Sequence, residues 1–252
     1  MFKRLLILIL AVVLLTVGAF AQVEEIKSIG DKAFISGSLD SAIIQYESIL
    51  GQEYVSAEVH FNLGNAYFRT GNIPRAILNY ERALKLAPSD EDIQFNLRLA
   101  KLRTVDKIEA VPELWFVTKW NSLYQILHVD QWAWLVVLIA CFLVGCIILF
   151  VTATNPFIKK NGFFGSIVFG VFLLLSVYLA QTSFNHLTND NRAVVMQPSL
   201  TVKSSPDKSG NDLFVVHEGL VVEEEDQTGD WKRIKLPDGN TGWVPSKSLE
   251  EI

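Results

Sequence analysis

Two long apolar segments constrain this chain more than any other feature. Residues 132–151 and residues 163–181 contain no charged side chain. A helix rises 1.5 Å per residue, so each segment would be about 30 Å long, which matches the hydrocarbon core of a bilayer. We therefore predict two transmembrane helices. The alternative is a buried helical pair in a soluble protein, but uncharged runs of this length seldom occur in soluble cores.

The connection between the two segments, residues 152–162, predicts the topology. It contains the breakers Asn155-Pro156 and Asn161-Gly162, and its only charges are Lys159 and Lys160. So short a connection predicts a helical hairpin with both flanking regions on one side of the membrane. Basic residues are retained inside, so we expect a cytoplasmic turn and extracytoplasmic flanks.

The amino-terminal residues give an independent topology signal. Residues 1–21 begin with Lys3 and Arg4, continue as an apolar stretch and end in the A-x-A motif of residues 19–21. This pattern predicts a secretory signal peptide that is cleaved before Gln22. The alternative is an uncleaved anchor helix. Either way the basic residues stay inside, which agrees with the lysines of the hairpin.

An internal repeat precedes the apolar segments. Its paired positions, all separated by the same interval, are Gly30 and Gly64, Gly37 and Gly71, Ala42 and Ala76, and Tyr46 and Tyr80. The second copy, residues 57–90, resembles the tetratricopeptide repeat family, whose period equals this interval, at Leu63, Gly64, Tyr67, Gly71, Ala76, Tyr80, Ala83 and Pro88, while His60 stands where Trp is commonest. We predict that residues 22–105 form two such repeats and a closing helix, which Ser89-Asp90-Glu91 can cap.

The resemblance implies a concave face lined by the first helix of each repeat. That face would carry Lys27, Asp31 and Phe34 from the first repeat, and Glu58, Phe61, Asn65, Phe68 and Arg69 from the second. An apolar floor with an amide and charges suits an extended or helical peptide of a partner protein. We expect Phe61 to supply apolar anchorage and Asn65 a bidentate amide. The alternative is that Phe61 and Phe68 pack on neighbouring helices and the groove is unused.

Residues 106–131 link the repeats to the first apolar segment. Trp115, Trp120, Leu123 and Tyr124 fall at helical spacing, so we predict an amphipathic helix at the bilayer surface, in contact with lipid. The alternative is another helix packed on the array. After the second apolar segment, residues 182–192 are predicted to be a polar tether.

The last stretch, residues 193–252, predicts a small all-β barrel. Six short apolar runs are separated by turn residues such as those of 205–207, 228–230 and 237–240. The motifs at residues 200–206, 217–219, 229–231 and 242–245 resemble a bacterial SH3 domain. Ser248 stands where a groove tyrosine would be, so a proline-rich ligand is not expected. Trp231 and Trp243 are either core residues or a ligand platform.

Other chemistry is not indicated by the sequence. The net charge of −5 and the lack of a basic stripe argue against nucleic-acid binding. The four histidines are scattered, and no phosphate loop or nucleophile elbow occurs, so we expect no catalytic residues, metal or cofactor. The two cysteines, Cys141 and Cys146, both lie in the first apolar segment, on different sides of the predicted helix, and cannot bridge each other.

The order of segments resembles the E component of the Bat aerotolerance family. That order is signal peptide, short tetratricopeptide array, membrane hairpin and terminal bacterial SH3 domain. The resemblance implies a cytoplasmic (inner) membrane protein with both soluble domains extracytoplasmic, in an assembly with von Willebrand-type Bat proteins. Two hypotheses stay open: a scaffold that binds membrane partners through its array, and a peptidoglycan-binding or envelope-sensing protein that acts through its SH3-like domain.

Overall fold

The computed structural model describes residues 23–52, 54–108, 111, 114–124 and 126–252. The predicted signal peptide at residues 1–21 lies outside the described residues.

Five helices form the amino-terminal array. They are α1 (23–35), α2 (Leu39–Leu50), α3 (Ala57–Thr70), α4 (Ile73–Leu86) and α5 (Glu91–Lys101). The array is therefore a helical repeat region of two helix pairs and one further helix, as the repeat period of the sequence predicts.

The array's helices begin and end where the sequence provides caps. The Ser56 side chain accepts a hydrogen bond from the Val59 backbone N–H at the start of α3, and Asp90 caps α5 in the same way. Gly37 and Gly71 follow the first helix of each pair with φ of +83° and +82°, a conformation that glycine adopts without strain.

The helices of each pair cross closely at a glycine. A Cβ on Gly64 would lie 2.7 Å from the Tyr80 ring, and one on Gly30 would lie 2.8 Å from the Tyr46 ring. Ala76, on the helix that faces Gly64, is fully buried. The small residues of the repeat pattern thus mark the contact between paired helices.

Three further helices form a second compact unit: α6 (Trp115–Tyr124), α7 (Val129–Thr152) and α8 (Pro156–Thr188). Helices α7 and α8 are long and apolar enough to cross a membrane, and they pack on each other as a hairpin. A Cβ on Gly162 would lie 2.6 Å from the Phe150 backbone nitrogen, so the two backbones approach closely there.

The link between α7 and α8 is shorter than the predicted turn of residues 152–162. Helix α8 starts at Pro156, because the Asn155 side chain accepts a hydrogen bond from Phe157 N and proline is favoured at the first helical position. Lys159 and Lys160 therefore lie in α8, and the expected breaker Asn161-Gly162 is helical. Helix α8 also continues to Thr188, through most of the predicted tether of residues 182–192.

Helix α6 packs on α8. The Trp120 and Tyr178 ring centroids are 6.0 Å apart, and the Trp132 indole N–H donates to the Tyr124 carbonyl at 2.9 Å. Tyr124, Trp132 and Leu179 are buried together. Helix α6 therefore belongs to the same compact unit as α7 and α8, and its place at a bilayer surface stays a prediction.

Seven strands form one antiparallel sheet, called here the C-terminal sheet. They are β1 (Arg192–Val195), β2 (Leu200–Lys203), β3 (Asp212–Val216), β4 (Val221–Thr228), β5 (Trp231–Lys235), β6 (Thr241–Pro245) and β7 (Leu249–Glu251), in the order β3-β2-β6-β5-β4-β1-β7. The predicted all-β architecture is confirmed. Strand β7 was not predicted, because its three residues are too short for an alternating pattern.

The array and the C-terminal sheet pack together in one compact unit. Val194 of β1 is fully buried in the same apolar cluster as Ile77 and Leu78 of α4. Met196 and Ile252 pack against this cluster from the sheet side. No pattern in the sequence indicated this contact, since it joins segments that the α6–α8 unit separates along the chain.

Candidate protein-binding groove

Asn65 lies at the centre of the predicted concave face and is held by two neighbours. Its Oδ1 accepts hydrogen bonds from the Tyr80 hydroxyl at 2.8 Å and from Asn96 Nδ2 at 2.9 Å. Burial raises the pKa of Tyr80, so its hydroxyl remains a donor. Asn65 Nδ2 has no acceptor among the described residues. The prediction of a bidentate amide therefore needs correction, because only the donor half of the amide is left for a ligand.

The first repeat carries the same arrangement. Asp31 Oδ1 accepts hydrogen bonds from the Tyr46 hydroxyl at 2.7 Å and from Asn62 Nδ2 at 3.3 Å. Burial, reinforced by the hydrogen bond to Asp31, raises the pKa of Tyr46. Each of these positions lies one repeat period before its counterpart around Asn65. The carboxylate of Asp31 therefore has a structural role in joining α1, α2 and α3.

Stacked arginine and phenylalanine side chains form a second repeated contact. The Arg69 guanidinium lies 4.7 Å from the centroid of the Phe34 ring, and the Arg103 guanidinium lies 4.5 Å from that of Phe68. Arg69 also donates to the Phe34 carbonyl at 3.2 Å. Both arginines are exposed. The stacking fixes two cationic groups beside apolar surface, where they remain open to a ligand.

These contacts surround a cavity of about 120 Å³, called here the groove cavity. It is lined by Phe34, Asn65, Phe68, Arg69, Tyr80, Asn96 and Leu99. Pockets for small molecules usually measure about 300–1,000 Å³, so this one suits a single side chain of a larger partner.

The predicted groove residues divide into two sets. Phe34, Asn65, Phe68 and Arg69 line the cavity, whereas Lys27, Asp31, Glu58 and Phe61 do not.

The residues of the second set have partners within the array. Lys27 Nζ lies 2.6 Å from Glu58 Oε1, and the hydrogen bond to Glu58 raises the pKa of Lys27. The Phe61 ring packs at 6.0 Å from that of Tyr80. Phe61 therefore belongs to the packing between helices α3 and α4, as the alternative interpretation of this residue proposed.

Tyr80, Asn96 and Leu99 line the cavity but were not predicted as groove residues. The signal for Asn96 was present, because it lies one repeat period after Asn62 and the period continues into α5. Leu99 lies one repeat period after the predicted groove residue Asn65, so the period places it at the equivalent position of α5, although the residue type changes from an amide to leucine.

Trp231 and Trp243 lie on the outer side of the C-terminal sheet. Their cross-strand partners are Pro245 and Arg233, and they alternate along their strands with the core residues Ile234 and Val244. Both indoles are half-buried. The structure thus places them outside the buried core of the sheet.

Comparison with known families supports the repeat assignment. The family model of the tetratricopeptide repeat matches residues 57–90, which are α3, α4 and the turn after them. No curated protein matches the chain significantly. Tetratricopeptide repeats imply protein partners, so the match indicates a role in protein–protein interaction.

Proposed function

We propose that this chain is a non-catalytic, membrane-anchored scaffold that binds partner proteins through the groove cavity. The observation that carries the proposal is a cavity of one side chain's size beside Asn65 Nδ2, which has no acceptor among the described residues, and beside the stacked guanidinium groups of Arg69 and Arg103. A partner segment would place an apolar side chain in the cavity, and its backbone carbonyl would accept from Asn65 Nδ2. The exposed arginines favour an acidic residue beside that side chain.

The apolar helices support the membrane part of the proposal. The outward side chains of α7 and α8 include Leu138 and Leu174, which are 53% and 74% exposed. Lipid would cover this surface, which is costly to leave in water. Anchoring confines the array to the membrane surface and raises the effective concentration of other membrane proteins around it. The basic residues at positions 3, 4, 159 and 160 support an extracytoplasmic array and sheet.

The segment order supports a more specific assignment. A signal peptide, a short tetratricopeptide array, a membrane hairpin and a terminal SH3-like domain make up the pattern of the Bat E component. On that resemblance we propose that the protein acts in a Bat-type aerotolerance or envelope-stress complex, with von Willebrand-type Bat proteins as its partners.

The groove is tested by the double variant Leu99→Gln, Arg69→Gln. Leu99 and Arg69 line the cavity and are exposed, so the fold should tolerate both changes. We expect recovery of cross-linked partner proteins from intact cells to fall by about tenfold or more, since hot-spot side chains contribute about 2 kcal/mol or more each. Phe61→Ala is less suitable, because Phe61 packs on Tyr80 and its loss would test folding.

A matched control is the double variant Leu102→Gln, Arg98→Gln. Both residues are exposed near the end of α5 and neither lines the cavity. This variant should retain its partners, and both variants should remain in carbonate-washed membranes. Equal recovery with both variants would contradict a role for the groove, and release of the wild-type protein by carbonate would contradict the anchor.

The tryptophans of the C-terminal sheet favour one alternative, a peptidoglycan-binding function. Half-buried indoles on the outer side of a sheet can stack on sugar rings. The test is retention of the full-length protein on cell-wall sacculi, compared with the variant Trp231→Ala, Trp243→Ala. Deleting residues 193–252 would be a poor test, because β1 packs on the array and its removal would expose α4.

A further inference from the structure

We infer that the C-terminal sheet holds α5 against the rest of the array. The part of the groove cavity that Asn96 and Leu99 of α5 line therefore depends on the contact between the sheet and the array. Helix α5 is the last helix of the array, and the next helix along the chain, α6, belongs to the other compact unit. It contributes Asn96 and Leu99 to the cavity, and Arg103 just beyond it stacks on Phe68. Whatever fixes α5 therefore also fixes the cavity.

A buried carboxylate joins α5 to the sheet. Glu81 of α4 is only 1% exposed. Its Oε1 lies 2.6 Å from Lys101 Nζ at the end of α5, and its Oε2 lies 2.9 Å from Arg192 Nη1 at the start of β1. A buried carboxylate is costly unless cations surround it. Moving Lys101 or Arg192 away from Glu81 is therefore unfavourable, because it would leave the buried carboxylate without one of its cations.

The segment after α5 is bound to the sheet by directional contacts. Asp106 accepts two hydrogen bonds from His217, one from the backbone N–H at 2.6 Å and one at ring Nδ1 at 2.9 Å. The Val111 backbone N–H donates to the Pro237 carbonyl at 3.1 Å. Within the same segment, Ile108 packs on the apolar core of the sheet. The chain is thus bound to the C-terminal sheet within a few residues of the end of α5.

Gly219 shows how tightly the sheet and the array fit. It occupies the turn between β3 and β4, and a Cβ there would lie 2.8 Å from Thr104 Cγ2 and 3.1 Å from Ile77 Cδ1. Any side chain at this position would press on both α4 and the segment after α5. A substitution of Gly219 should therefore weaken the contact between the sheet and the array without changing a residue that lines the groove cavity.

The test is hydrogen exchange of α5 in the full-length protein in mild detergent, with Gly219→Ala compared to Gly239→Ala. Both glycines have similar positive φ, +84° and +91°, so both variants carry similar backbone strain. Of these two glycines, Gly219 alone has neighbours within 4 Å of the added Cβ. We expect exchange in residues 91–103 to be about tenfold faster in Gly219→Ala and unchanged in Gly239→Ala, since local opening sets exchange.

A second pair of variants is needed because the neighbours of Gly219 could shift to make room for the methyl group of Gly219→Ala, which would leave the contact between the sheet and the array intact. Glu81→Gln removes the charge between Lys101 and Arg192, and Glu47→Gln changes the equivalent residue of the first repeat. Faster exchange of α5 in Gly219→Ala or Glu81→Gln, with α5 unchanged in both controls, supports the inference. Exchange of α5 at the wild-type rate in both test variants overturns it. No partner enters this assay, so its outcome is separate from that of the proposed function.

Discussion

Helices α2 and α4 occupy equivalent places in the two repeats, yet their environments differ. Ile43 of α2 is half-buried, whereas Ile77, its counterpart one repeat period later, is fully buried. The Glu47 side chain is 46% exposed, and that of its counterpart Glu81 is 2% exposed. The same repeat pattern therefore produces a solvated helix in one copy and a nearly enclosed helix in the other.

The difference arises from the neighbours and not from the repeat itself. Helix α4 packs against α3, α5 and strand β1, and the Pro74 and Ile77 side of it meets the turn at Gly219. Glu47, with Arg75 and Tyr67 as partners, remains at the surface. A carboxylate at this repeat position is tolerated in either setting, but only the buried one must be matched by cations.

The largest difference in the free energy of unfolding is expected between the variants Glu81→Ala and Glu47→Ala. Removing the buried Glu81 carboxylate takes away the charge-assisted contacts of Lys101 and Arg192, whose side chains are 46% and 31% exposed and so stay partly solvated, and we expect a loss of about 1.5–3 kcal/mol. Removing the exposed carboxylate should cost at most about 1 kcal/mol. Chemical denaturation of the full-length variants in mild detergent measures both free energies of unfolding.

Equal destabilisation by the two Glu variants would contradict this account of α4. A Glu81→Ala variant that loses less than about 1 kcal/mol would mean that water replaces the carboxylate as the partner of Lys101 and Arg192. The contact between the array and the sheet would then depend on the remaining contacts, which include apolar burial around Val194 and the hydrogen bond from Arg82 to the Glu251 carbonyl.

A smaller difference in the loss of stability is expected between the variants Gly64→Leu and Gly30→Leu. Each leucine would collide with a buried tyrosine ring, of Tyr80 or Tyr46, because even its Cβ would lie within 2.7 Å or 2.8 Å of that ring. Overpacking costs about 1–3 kcal/mol. We expect the larger loss at Gly64, because Tyr80 also holds Asn65 and α4 is enclosed on several sides, whereas α1 and α2 lie at the end of the array. Thermal unfolding followed by circular dichroism would show the difference in melting temperature, and unchanged melting of Gly64→Leu would contradict the close crossing.

The sequence predicted those parts of the fold that depend on local patterns. The repeat period predicted the helix pairs and the tyrosine–glycine contacts, and the alternating apolar runs predicted six of the seven strands. The sequence could not predict the docking of β1 on α4, because burial of Glu81 depends on Arg192, which lies beyond the whole α6–α8 unit in the chain.

The candidate site was predicted only in part, because the repeat pattern of the sequence is local and does not show contacts between distant residues. Phe34, Asn65, Phe68 and Arg69 follow from the geometry of one repeat, and they line the cavity. Asn96 and Leu99 line it from α5, which lies beyond the two complete repeats. Lys27 and Phe61 were expected to meet a ligand, but Glu58 and Tyr80 of the array lie beside them.

The smallest contrast concerns pH and compares His60 with Ile26, its counterpart in the first repeat. His60 Nδ1 lies 3.0 Å from Asn79 Oδ1. Asn79 Nδ2 donates to the Arg75 carbonyl at 2.9 Å, so Oδ1 is the acceptor and the His60 ring donates from Nδ1. Burial lowers the pKa of His60, which keeps the ring neutral in the folded array. Ile26 has no proton to gain, so only the second repeat should respond to acid at this position.

The sign of the effect follows from proton binding. An unfolded chain has a histidine pKa of about 6.5, whereas the pKa of His60 in the folded protein is lower. Below about pH 6.5 the unfolded state therefore binds more protons, and stability falls as the pH falls, by no more than about 1.4 kcal/mol per pH unit for one group. His60→Gln keeps a donor for Asn79 but cannot titrate. The loss of stability between pH 7.5 and pH 5.5 should be smaller in this variant than in the wild type, since the two proteins differ at position 60 alone. Identical pH dependence of unfolding in the two proteins would mean that the His60 ring is protonated as readily in the folded array as in the unfolded chain, and hence that α3 is no better shielded at this position than a surface helix.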